Sequence, residues 1–172
     1  MRVPDTVLYT ERLVLRPLTP ALARGLLAAP SGRGFPGPDD LDLLARTAAT
    51  EDADARHTYL LEQDGRPIGT LGVAGALSPD GDQELGYRLV TPARGQGYGT
   101  EAVGALCAVL EREPGVRRLT AEVRPGNEES RRLLYRLGFL EVDGGSTGHL
   151  LFARAAPGSA PAFRRIAGRH VC

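Results

Sequence analysis

Residues 94–100 read Arg94-Gly95-Gln96-Gly97-Tyr98-Gly99-Thr100, one arginine followed by three alternating glycines, and an amphipathic helical pattern follows them. These types in this order suit the binding of an anion, above all a pyrophosphate. A helix start offers free main-chain N–H groups and the positive end of the helix dipole. Glycines let a phosphate approach the main chain where a Cβ would block it, and Arg94 adds a charged, forked donor. Two owners of such a loop can be weighed from the residues alone. The chain has no lysine, all 21 of its basic residues being arginine. That removes the Gly-Lys-Ser/Thr of a Walker-type loop, and with it the lysine amine of Schiff-base chemistry. Gly97-Tyr98-Gly99-Thr100-Glu101-Ala102 does fit the dinucleotide pattern G-x-G-x-x-G/A, and Glu122 ends a later strand about 20 residues on, where a ribose-binding acid belongs. Against a dinucleotide, Thr91-Pro92-Ala93-Arg94 separate the first glycine from its strand. The chain before it also reads as a β-hairpin, without the βα alternation of a parallel sheet.

The elements that must position this loop follow from periodicity and punctuation. Arg12–Pro17 alternates as a strand, and Thr19-Pro20 caps and opens a helix running to about Ala29. Residues 31–38 form a Gly/Pro loop, and a second helix starts at Pro38-Asp39-Asp40. His57–Gln63 and Arg66–Ala76 read as a hairpin turned at Asp64-Gly65. Glu84–Leu89 is the strand before the loop and Tyr98–Glu113 the helix after it. Leu119–Val123 is a strand, Glu128–Leu137 a helix, and Phe139–Val142 with His149–Ala153 are closing strands. The order β-α-α-β-β-β-α-β-α-β-β predicts an α/β fold around one mixed, mainly antiparallel sheet. Residues 1–154 are expected to form a single domain and residues 155–172, rich in Pro, Gly, Ser and Arg, a flexible C-terminal tail.

Composition bounds the function. The 172 residues are 42% hydrophobic and 24% charged with zero net charge, as in an ordinary globular chain. No overall field attracts nucleic acid or anionic membranes, and no apolar run reaches the ~20 residues that span a bilayer. The first residues lack the apolar core of a signal peptide, so the expected location is cytoplasmic. Cys107 shares a helical face with Val103, Leu106 and Leu110, which predicts a buried thiol rather than a nucleophile. Cys172 ends the tail. His57, His149 and His170 show no ligand spacing, and no metal is expected.

Arg94-Gly95-Gln96-Gly97-Tyr98-Gly99 resembles the acetyl-CoA motif Q/R-x-x-G-x-G/A of the GNAT superfamily of N-acetyltransferases. Asn127 to Phe139 resembles that family's second motif, N-x-x-(S/A)-x-x-x-(Y/L)-x-x-x-G-F, about thirty residues further on. Thr10–Pro17 and Leu85–Leu89 are similar to the branch that includes the ribosomal-protein N-terminal acetyltransferases. The resemblance spans Thr10 to about Phe152. It implies helices on both faces of the sheet, with two central strands splayed apart and the pantetheine arm of acetyl-CoA between them. Leu89 and Val90 would lie along that arm, Arg94, Gly95, Gln96, Gly97, Tyr98, Gly99 and Thr100 would wrap the pyrophosphate, and Asn127 and Ser130 would touch the cofactor. Asn127, the only asparagine, also reads as a plain helix N-cap, which is compatible.

Acetyl transfer to an amine needs a neutral amine, a stabilised oxyanion and a protonated leaving thiolate. Glu84 is the candidate base: it faces away from Leu85, Tyr87 and Leu89, with Gly86 beside it leaving room for a ligand. The competing reading pairs Glu84 with Arg88 on the same face. Glu122 is the second candidate, and ordered water alone a third. Tyr135 falls at the family's general-acid position, or else packs beside Leu134 and Leu137. The Val90 N–H is the expected oxyanion donor. The loops 31–40 and 143–148 would line the acceptor site. Asp39, Asp40, Asp42, Glu51, Asp52 and Asp54 read as a solvated, N-terminally acidic helix face, or as an attractor for a cationic amine. The expected partner is a primary amine acceptor, a protein N-terminus or a small molecule, with no nucleic acid or membrane; a homodimer is left open. A non-catalytic acyl-CoA-binding or sensing domain is the alternative of another class.

Overall fold

The structure is a computed structural model, and it describes residues 6–29, 34–50 and 58–159. In chain order its elements are β1 (Leu8–Tyr9), β2 (Val14–Pro17), α1 (Pro20–Ala28), α2 (Pro38–Ala49), β3 (Thr58–Gln63), β4 (Arg66–Ala74), β5 (Asp82–Leu89), α3 (Tyr98–Leu110), β6 (Arg118–Val123), α4 (Glu128–Arg136), β7 (Leu140–Val142) and β8 (Leu150–Ala155). The strands form one mixed eight-stranded sheet in the order β1-β2-β3-β4-β5-β6-β8-β7. Neighbours pair antiparallel from β1 to β4 and across β6-β8-β7. β5 and β6 pair parallel. This is the α/β, mainly antiparallel sheet that the element order predicted.

The chain divides into two compact units. The first takes Met1–Val73 and Tyr87–Leu106. Its α1 starts as the sequence dictates: the Thr19 side chain accepts from the Leu22 N–H at 3.2 Å, and Pro20 stands where a missing N–H costs nothing. Leu18, Ala23, Leu26, Phe35, Leu44 and Leu60 form a buried cluster that joins both helices to β3. β3 and β4 turn at Asp64 and Gly65, both at positive φ (50° and 71°), the conformation that favours Asp-Gly in tight hairpins.

The second unit takes Ala74–Gly86 and Cys107–Cys172. Here β5 begins two residues before the expected start. Gln83 is fully buried beside Leu85 on the inward face, while Glu84 and Gly86 are exposed. The registered ladder between β5 and β6 covers Asp82↔Arg118, Gln83↔Leu119 and Glu84↔Thr120, while β5 goes on to Leu89 and β6 to Val123. β8 runs through Ala155, past the expected domain end at 154. The buried Ala156 then donates its N–H to the Arg117 carbonyl at 2.9 Å. The remaining tail, 160–172, lies outside the described residues, as do Glu51, Asp52, Asp54 and His57.

Candidate active site

In the first unit β5 runs directly into the glycine loop. Thr91–Ala93 form a single 3₁₀ turn, started by the proline-fixed backbone of Pro92. Two side chains fold back to close it: Arg94 Nε donates to the Leu89 carbonyl at 3.0 Å, and Gln96 Nε2 to the Pro92 carbonyl at 2.8 Å. Gly95 and Gly97 stand at φ of 72° and 82°, where a Cβ is disfavoured. α3 follows at once. Its main-chain ladder opens with the Glu101 N–H on the Gly97 carbonyl at 3.1 Å, so the N–H groups of Tyr98, Gly99 and Thr100 stand in the unpaired first turn. A pyrophosphate fits these residues: main-chain donors at a helix start, glycines in the required conformation and an exposed arginine beside them.

One expected role does not survive. The Val90 N–H donates to the Ile68 carbonyl of β4 at 2.9 Å, and its carbonyl accepts from Ala93 at 2.9 Å. Both main-chain groups of Val90 are engaged, so it cannot serve as the oxyanion donor. In a strand the N–H groups of successive residues point to opposite edges, which turns that of Leu89 away from β4.

The loop is also gripped by a segment 91 residues away. Thr10 Oγ1 donates to Glu101 Oε1 at 2.5 Å, the Arg12 N–H to the same oxygen at 2.8 Å, and Arg12 Nε to Glu101 Oε2 at 2.7 Å. Arg12 Nη1 donates to the Gln96 carbonyl at 2.9 Å, and its guanidinium lies 4.6 Å from the centre of the Tyr98 ring. These donors hold the Glu101 carboxyl below its ordinary range although burial works the other way. No local pattern signals this grip, since Glu101 reads as an ordinary acid in a first helical turn.

In the second unit Glu84 and Glu122 lie on neighbouring strands. The Glu84 carboxyl is raised above its ordinary range, first by partial desolvation and then by the charge of Glu122. Pairing with an arginine would do the opposite. Arg88 reaches Asp39 and Asp40, with nitrogen–oxygen distances of 3.8 Å to each. Glu122 is held elsewhere: it accepts from the Ser146 N–H at 2.9 Å and from the Ser146 hydroxyl at 2.5 Å, and these bonds lower its carboxyl. His149 Nδ1 lies 3.3 Å from the same hydroxyl. The loop 143–149 thus folds onto Glu122, packed tightly enough that a Cβ on Gly145 would meet the His149 carbonyl at 2.4 Å.

Further along this unit, Asn127 caps α4 through Oδ1, which accepts from the Ser130 N–H at 3.1 Å. Tyr135 is half-buried, edge-on to Phe152 at 5.3 Å between centroids, and its hydroxyl donates to Glu141 Oε2 at 3.3 Å. Arg131 stands 3.6 Å from the same carboxylate. Tyr135 thus packs against Phe152, and Glu141 is a hydrogen-bond partner that the sequence does not announce. Cys107 is buried, and burial pushes its thiol up to about 12 against the pull of Arg154. A thiol so raised is no nucleophile near neutral pH. The acidic face of α2 also differs from expectation at one position. Asp40 is buried, not solvated, and Oδ2 accepts from the Gly37 N–H at 3.0 Å, whereas Asp42 makes a surface pair with Arg46.

The model of the acetyltransferase (GNAT) domain matches residues 12–140. A GnaT-family acetyltransferase from Bordetella pertussis is 30% identical with a TM-score of 0.67, over 87% of this chain and 99% of that one. Mycobacterium smegmatis RimJ in complex with CoA-disulfide is 25% identical with a TM-score of 0.64, over 92% and 93%. The ribosomal-protein-S5-alanine acetyltransferase of Vibrio fischeri is 20% identical with a TM-score of 0.67, over 91% and 100%, a likeness of fold. No curated protein matches. With three quarters of its length covered by the domain, and both family motifs seated on the elements described, this chain belongs to the GNAT acetyltransferase family.

Proposed function

We propose that the protein transfers an acetyl group from acetyl-CoA to a primary amine by direct attack within a ternary complex. The observation that carries this reading is Glu84, an exposed carboxylate raised in proton affinity on the very strand that leads into the anion loop. An alkylammonium acceptor has a pKa of about 10, and a base with raised affinity is better matched to take its proton. Glu122, tied to Ser146, supplies a nearby negative charge and is the weaker base.

In this reading Gly95, Gln96, Gly97 and the first turn of α3 meet the pyrophosphate with main-chain N–H groups. Arg94 adds its terminal nitrogens, Nε being engaged with Leu89. The Leu89 main chain pairs with the pantetheine arm as an added strand would, and its N–H faces the oxygen on which charge develops. Asn127 uses Oδ1 for the cap and offers Nδ2 to the cofactor, with Ser130 beside it. Glu84 accepts the proton of the ammonium, the nitrogen lone pair forms the new C–N bond, and the C–S bond breaks. Tyr135 gives its proton to the departing sulfur, and the second nitrogen proton, lost as the amide forms, returns the phenolate to phenol. That donation requires the hydroxyl to leave Glu141.

The acceptor class we propose is a protein α-amine or a small-molecule amine, and the place of action is the cytoplasm. Support for a protein acceptor comes from the name of one of the similar structures, the ribosomal-protein-S5-alanine acetyltransferase. The test is an acceptor screen by thiol release, followed by Glu84→Gln and Tyr135→Phe. Glu84→Gln should lose ~10²–10⁴-fold in kcat, and Tyr135→Phe about tenfold or more, both with coenzyme A binding retained. Coenzyme A binding without turnover on any amine would point instead to a sensing domain.

A further inference from the structure

This inference rests on the coenzyme A reading of the loop and concerns a residue outside both family motifs. The peptide between Gln96 and Gly97 decides whether the loop can bind an anion. In a trans peptide the C=O and the following N–H point to opposite sides, so the direction of the Gln96 carbonyl fixes that of the Gly97 N–H. A peptide flanked by glycine turns over readily, and the flipped form would present a carbonyl oxygen where a donor is needed. Arg12 Nη1 holds that carbonyl at 2.9 Å. Arg12 is itself fixed on three sides: Nε and its main-chain N–H bind the two oxygens of Glu101, and the guanidinium covers the Tyr98 ring. Thr10 completes the seat with its hydroxyl on Glu101 Oε1. The fit is close, since a Cβ on Gly97 would stand 3.2 Å from Arg12 Nη2.

We propose that Arg12 is a positioning residue that locks Gln96–Tyr98 in the anion-binding conformation, so that its effect is confined to acyl donors carrying a pyrophosphate. Arg12 does this by tying the loop to Glu101 on the first turn of α3. A lysine keeps the charge but has no planar fork, and it cannot serve Glu101, the Gln96 carbonyl and the Tyr98 face together.

The experiment compares wild type, Arg12→Ala and Arg12→Lys by calorimetric titration with coenzyme A, and by turnover with acetyl-CoA and with S-acetylpantetheine, which lacks the pyrophosphate. Arg12→Ala should weaken coenzyme A binding about tenfold and raise the KM for acetyl-CoA to match, with kcat within about twofold. Arg12→Lys should fall between, and kcat/KM for S-acetylpantetheine should be the same in all three proteins. Equal losses with both donors, or no loss with either, would overturn the proposal. If Arg12→Ala does not fold, Arg12→Lys carries the same comparison. A wild type that bound no coenzyme A would instead defeat the functional reading, and this inference with it; a wild type and an Arg12→Ala that bound it equally well would defeat this inference alone.

Discussion

Two carboxylates on neighbouring strands have been driven apart in proton affinity by what surrounds them. Glu122 accepts two hydrogen bonds from Ser146 and stays ionised, and its charge, after partial desolvation, raises Glu84. A base works in its deprotonated form, so activity should rise with pH through the elevated Glu84 value. Neutralising Glu122 in Glu122→Gln removes a repulsion that disfavours the Glu84 anion. The rising acid limb of kcat/KM should then move to lower pH, with a lower plateau rate because a weaker base remains. A pH profile identical to wild type would show that Glu122 does not tune the base. At this scale the sequence was legible where residues act alone or with chain neighbours. The parity of β5 exposes Glu84 and buries Leu85, as expected. The Asn127 cap is a contact over three residues, the plain N-cap that the sequence predicts. Ser146 on Glu122, and Glu141 on Tyr135, depend on how loops and strands return to one another, and no local pattern announces them.

The elements show a second limit. Alternation along β5 tells which side chains face the same way, but not which neighbouring strand lies at which edge. The direction of the Val90 N–H depends on that, and the pairing with Ile68 decided it. Gly69 makes the same pairing concrete. A Cβ there would meet the Arg88 carbonyl oxygen at 2.1 Å and the Leu89 Cα at 3.0 Å. β4 and the end of β5 come together closely because residue 69 has no side chain. Gly69→Ala should therefore displace the strand end that leads into the loop, costing about 2 kcal/mol and lowering Tm by about 4–8 °C, with weaker coenzyme A binding. Thermal unfolding and calorimetry measure both. A melting temperature within about a degree of wild type would mean that the strand end yields at little cost.

For the whole molecule, the nucleotide that stabilises it separates the coenzyme A reading of the loop from the dinucleotide one. A ligand that binds only the folded state at a hundred times its Kd adds about 2.7 kcal/mol, or roughly 5–10 °C in Tm for a chain of this size. Coenzyme A should produce a shift of that order and NAD none. The reverse result would restore the dinucleotide reading that Gly97–Ala102 formally permits. No helix among the described residues is long and apolar enough to cross a membrane. What the sequence determined by itself is the glycine loop, the second motif and the element order from β2 onward, the short β1 having gone unread. Each is written in contiguous residues through backbone conformation, capping and hydrophobic period, and these act over a few residues. What only the tertiary structure decided is the grip of Thr10 and Arg12 on Glu101, the pairing that takes the Val90 N–H, the seating of Glu122 on Ser146 and the burial of Asp40. Those depend on strand order and on contacts between segments as many as 91 residues apart, which local propensity does not encode.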